Sequence, residues 1–65
     1  MSNVKSQKVF NLMKDHFHGD VNKVWDWFFT VNASMGYKRP IDFIKEYKSD
    51  KLLNYVLNSI ISAKN

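Results

Sequence analysis

The chain has 65 residues, with 10 Lys or Arg against 6 Asp or Glu for a formal charge of +4; 45% are hydrophobic, 15% aromatic and none is cysteine. A chain this short makes one domain, residues 1–65, and buries only about 60% of the surface it exposes when unfolded. That leaves no room for a deep cofactor cleft beside a core, and the expectation is a protein that is not an enzyme and carries no cofactor.

Without cysteine there is neither a disulfide framework nor a thiolate metal site, so the expected compartment is the cytoplasm. No apolar run approaches the ~20 residues of a membrane span, and Met1-Ser2-Asn3-Val4-Lys5 lacks the apolar block of a signal peptide. The abundance of large hydrophobic and aromatic side chains argues for a packed fold over disorder.

Periodicity predicts an all-α, compact four-helix domain with short loops, the helices at about 4–17, 21–31, 40–47 and 51–62. Ser2 or Asn3 is the expected cap of the first helix, whose buried face carries Val9, Leu12, Met13 and Phe17. His18-Gly19 ends it, with Gly19 in the left-handed conformation that closes a helix, and Asp20 caps the next.

In the second helix Val21, Val24, Trp25 and Phe28 follow the i, i+3, i+4, i+7 pattern, widened by Trp27 and Phe29. One or two of these bulky side chains should remain exposed. The stretch 31–39 breaks the pattern at Asn32 and Gly36, and Pro40 suits the first turn of the third helix, which is expected to bury Ile41, Phe43 or Ile44, and Tyr47. Ser49 or Asp50 is the expected cap of the last helix. Leu52, Leu53, Val56, Leu57, Ile60 and Ile61 form its apolar stripe, which should dock across the other three helices, with Asn54, Asn58, Ser59 and Ser62 away from it.

His16-Phe17-His18, flanked by Asp15 and Asp20, is the only local cluster with metal-ligand residue types. Side chains at i and i+2 on a helix diverge, so solvated imidazoles at a helix end are expected and no metal site. Glu46 is the sole glutamate and the aspartates are scattered, so no catalytic constellation emerges. Lys38-Arg39, Lys45, Lys48 and Lys51 make the densest basic region, diluted by Asp42, Glu46 and Asp50.

Taken in order, His18-Gly19-Asp20, Val24, Trp27-Phe28, Asn32, Met35-Gly36 and Pro40-Ile41-Asp42-Phe43-Ile44 resemble the toxin-binding domain that ends Xre/MbcA/ParS-type antitoxins. The resemblance spans about residues 10–61 and rests mainly on caps, turns and core positions. Two departures stand out: Lys48-Ser49-Asp50 replaces the glycine usual before the last helix, and Trp25 with Phe29 adds bulk. Family members usually carry an N-terminal helix-turn-helix region, and here a single helix precedes Gly19, so the expectation is the toxin-binding half alone. The resemblance implies a domain that neutralises a RES-type, NAD-consuming toxin by covering its active site.

The expected contact residues are Tyr37, Lys38, Arg39, Lys48, Lys51 and Tyr55, which join aromatic area to cationic donors off the core stripe. On that reading Arg39→Glu weakens partner binding without unfolding the domain, whereas Leu57→Ala removes core packing. Three alternatives stand beside it. They are a phage- or mobile-element-encoded inhibitor of a host defence protein, a small nucleic-acid-binding module, and a homodimer built on the exposed aromatics.

Overall fold

A computed structural model describes residues 4–63 of the chain, with side chains through Ile60. The expected caps Ser2 and Asn3, and the side chains of Ile61 and Ser62, lie outside these. Four α-helices follow one another: α1 (Val4–His16), α2 (Val21–Phe29), α3 (Pro40–Lys45) and α4 (Ser49–Ala63), with a single 3-10 turn, Ala33–Met35, between α2 and α3. The all-α expectation holds, and among the described residues the only extended pairing is one antiparallel bridge between Asn32 and Lys38.

The principal packings run α1 on α2, α2 on α3, α3 on α4 and α4 back on α1, so the helices close a ring around one core. That core is Val9, Met13, Val24, Phe28, Met35, Leu52 and Val56, with Phe10, Leu12, Phe17, Trp27, Ile41, Phe43 and Ile44 partly buried against it. α4 thus packs mainly on α1 and α3 instead of lying across all three partners. Its first turn is tied to α1 by Ser6 Oγ to Ser49 Oγ at 2.9 Å and by Lys5 Nζ to Asp50 at 2.6 Å. These two tethers explain why α4 starts at Ser49, two residues earlier than expected: Ser49 and Asp50 are spent on α1 and lie inside the helix.

Each helix junction is closed by backbone hydrogen bonds. After α1, Gly19 N–H donates to Lys14 C=O at 2.8 Å and His18 N–H to Asp15 C=O at 3.1 Å, the paired closure of a Schellman motif. The left-handed C′ position falls on His18, with φ 57°, one residue earlier than the sequence suggested, and Gly19 follows at φ 86°. Asp20 then caps α2 as expected, its carboxylate accepting from Lys23 N–H at 3.2 Å. After α3 the same closure recurs: Lys48 N–H donates to Phe43 C=O at 2.7 Å and Tyr47 N–H to Ile44 C=O at 3.1 Å, placing Tyr47 at φ 59°.

Several expectations are corrected here. Tyr47 is 95% exposed, not buried, because α3 stops at Lys45 and the left-handed turn throws the side chain outward. Leu57 is 37% exposed and sits at the edge of the α4 stripe, whereas Leu52 and Val56 are buried. On α2, by contrast, Trp25 and Phe29 are the two bulky side chains left exposed, at 45% and 54%, as expected, and Val21 joins them at 39%.

Leu52→Ala should therefore cost about 2–5 kcal/mol in denaturant unfolding, while Leu57→Ala should cost less than about 1.5 kcal/mol. Equal losses for the two would contradict this assignment of the core.

Candidate functional site

The segment between α2 and α3 is rigidly built. Asn32 Oδ1 accepts from Ser34 N–H at 2.9 Å and caps the 3-10 turn, whose Met35 is buried in the core. Gly36, at φ 74°, reverses the chain, Tyr37 N–H donates to Asn32 C=O at 3.1 Å, and Asn32 N–H donates to Lys38 C=O at 2.9 Å. Tyr37 is thereby held at the tip of a closed loop, left-handed at φ 62° and 77% exposed.

Lys38 links this loop to the α3–α4 turn. Its Nζ lies 3.2 Å from Glu46 Oε1 and 5.8 Å from the centroid of the Phe43 ring, and Lys48 Nζ approaches the same glutamate oxygen at 3.5 Å. The hydrogen bond from Lys38, then its charge, and more weakly the hydrogen bond and charge of Lys48, hold the Glu46 carboxyl below the usual glutamate range. Two cations on one carboxylate leave a surplus positive charge. Tyr47, between Glu46 and Lys48 in sequence, stands out beside them.

The local energetics do not favour this arrangement for folding. Exposed ion pairs of this kind contribute little to stability. A non-glycine residue in the left-handed region costs about 1–2 kcal/mol relative to its preferred conformations, and side chains as exposed as Tyr37 and Tyr47 regain little of it by packing. His18 shares this left-handed, exposed geometry at the end of α1, so the strain belongs to the chain reversals, and the large exposed rings are what set Tyr37 and Tyr47 apart.

The remaining expected contact residues behave differently. Arg39 is committed internally: its backbone N–H and Nε reach Asp42 Oδ2 at 3.0 and 3.3 Å, and Nη2 reaches Oδ1 at 2.9 Å. This fork fixes the start of α3, where Pro40 occupies the first turn. Arg39→Glu would set two carboxylates together at that start, so the expectation that this change spares the fold is withdrawn. Tyr55 is half-buried and lines an apolar cleft of about 170 Å³ with Met13, Trp27, Val56 and Ile60, which makes it a packing residue. Lys51 is exposed and in no ion pair among the described residues.

Lys38 and Lys48 are thus brought together through Glu46, with Tyr37 and Tyr47 each next in sequence to one of these lysines, whereas Arg39 and Tyr55 serve the fold. Glu46, read in the sequence only as diluting the basic region, is the group that joins the two lysines, and Tyr47, expected in the core, is exposed between Glu46 and Lys48 in sequence. His16 and His18 are both exposed, the ring of His16 meeting Phe17 edge-on at 5.1 Å, and no group of three metal-ligating side chains converges among the described residues.

No protein-family model matches the chain, and neither a curated protein nor a solved structure matches it at a significant level.

The hydrogen bonds from the Arg39 side chain and backbone hold the Asp42 carboxyl below the usual aspartate range, as Lys38 does for Glu46. A carboxylate whose value is depressed on folding stabilises the fold at neutral pH, and that stabilisation is lost as pH falls through the folded value. Thermal unfolding midpoints should therefore drop as pH falls below about 4–5. Asp42→Asn should lower the midpoint at pH 7 and flatten the acid decline; an unaltered decline would contradict the role given to this carboxylate.

Proposed function

We propose that this chain is a non-enzymatic, cytoplasmic protein-binding module that neutralises a partner enzyme by covering the entrance to its active site. The observation that carries this reading is the pair of Lys38 and Lys48 gathered on Glu46, each lysine next in sequence to a tyrosine, Tyr37 or Tyr47, that is largely exposed. Tyrosine beside a basic side chain is the composition that concentrates binding energy at protein interfaces, and fixed backbone hydrogen bonds on both segments reduce the entropy lost on docking.

The order of caps, turns and core residues that resembles the toxin-binding domain of Xre/MbcA/ParS-type antitoxins supplies the class of partner, a RES-type enzyme that consumes NAD. A standard footprint of about 800 Å² per partner would take roughly a sixth of the 4734 Å² surface of this chain. A domain of this size can block an active-site mouth without entering it. The surplus positive charge of Lys38 and Lys48 over Glu46 favours an acidic border on the enzyme, and encounter should slow as salt rises.

The test is site-specific photo-cross-linking in the cells that encode the chain, with benzoylphenylalanine at Tyr47 and, as a control, at exposed Lys8 on α1. The expected result is one stoichiometric NAD-consuming enzyme cross-linked from position 47 and not from position 8, its turnover blocked by the unmodified chain. Cross-linking to nucleic acid, or equal cross-linking from both positions, would overturn the proposal.

A further inference from the structure

The apolar residues of α2 serve two surfaces. Val24 and Phe28 enter the core, while Val21, Trp25 and Phe29, spaced four apart, form a separate ridge exposed at 39%, 45% and 54%. Trp25 is held in place by ring contacts with Phe10 at 5.4 Å, Phe28 at 5.6 Å and Phe29 at 6.2 Å. Beside the ridge runs a groove of about 420 Å³ lined by Ser6, Phe10, Trp25, Phe28, Ile41 and Ile44. None of this is part of the Lys38–Glu46–Lys48 cluster or the tyrosines next to it in sequence.

From this ridge and groove we infer that α2 is a self-association surface, and that the occupant is a second copy of the chain placed across a two-fold axis near Trp25. The ridge is self-complementary. An antiparallel copy sets Phe29 of one chain against the smaller Val21 of the other and brings the two Trp25 rings together near the axis, so a large side chain meets a small one at each end.

Residues four apart form the helix ridge whose interdigitation with its like, at a crossing of about 50°, is the commonest packing of helices in globular proteins. Charge does not oppose this closure. At about 100° per residue, Lys23 lies roughly 160° around α2 from Trp25, while Asp26 lies about 60° from Phe29, at the edge of the contact where its carboxylate keeps its water. The ring contacts already order Trp25, which lowers the entropy lost when it is covered.

The area places the contact among small interfaces. Half-exposed Trp25 and Phe29, each able to bury about 150–250 Å² in full, together with Val21 and the groove, give about half of the ~800 Å² per partner of a standard interface. The dimer should be concentration-dependent, with a dissociation constant on the order of 100 µM.

Sedimentation velocity of the purified chain between about 10 µM and about 1 mM tests this, with no other partner present. The expected result is a monomer at the low end and a predominant dimer at the high end, with Phe29→Asp weakening association at least ~10-fold. Trp25→Ser is a second variant on the same ridge, and circular dichroism checks that both stay helical. A chain that remains monomeric at ~1 mM would overturn the proposal and leave the ridge to a different partner. A dimer indifferent to both substitutions would overturn it too. Because Tyr37, Lys38, Tyr47 and Lys48 take no part, failure here leaves the proposed partner binding to stand or fall on its own test.

Discussion

Among the described residues, seven buried core side chains and Pro40 have to hold four helices together, and that scarcity governs the rest of the structure. Val9 of α1 and Leu52 of α4, both completely buried, anchor the seam along which the last helix closes the ring on the first. Flanking that seam are the Ser6–Ser49 hydrogen bond and the Lys5–Asp50 ion pair. With so little core, burial alone cannot set the angles between helices, some as short as six residues. The junctions must be set locally. Paired backbone closures after α1 and α3, and the Asn32–Lys38 bridge before α3, do this at a cost in backbone strain at His18, Tyr37 and Tyr47.

Side chains around these junctions divide into those that serve the fold and those that do not. Arg39 and Asp42 hold the start of α3, and Met35 anchors the loop, so their chemistry is consumed within the domain. Tyr37 and Tyr47 occupy positions where glycine would be less strained, yet present large side chains to solvent. Around them Glu46 gathers Lys38 and Lys48, giving a surface rigid in its backbone and cationic in its field. A protein partner could use each of these properties, and neither the exposed rings nor the cationic field is needed to keep the helices packed.

Much of the fold was legible in the sequence because caps and breakers are local. Asp20 before α2, Pro40 at the start of α3 and the apolar spacing of α4 each act within a few residues of themselves. What escaped depended on through-space neighbours. Tyr47 continues the spacing of α3 and so reads as core, but the helix ends two residues earlier and the left-handed closure reverses its direction. Apolar residues of α2 cover about 200° of its circumference, more than one buried face, and periodicity could not say which part meets α1 and α3. Of the expected contact residues, Lys38 and Lys48 converge because Glu46 bridges two segments, eight residues from Lys38, a pairing no local pattern reveals. Arg39 fell into that list because its partner Asp42, three residues on, was read only as diluting charge.

The most direct test of the central claim compares stability and partner binding in Tyr47→Gly. Glycine relieves the left-handed strain, less its own entropic cost in the unfolded chain, so the variant should be more stable by about 0.5–1 kcal/mol. Its affinity for the cross-linked partner enzyme should fall at least ~10-fold, as expected when an anchoring tyrosine is removed from an interface. Stability and affinity moving in these opposite directions is the predicted result; unchanged affinity in a stabilised, folded variant would contradict the account.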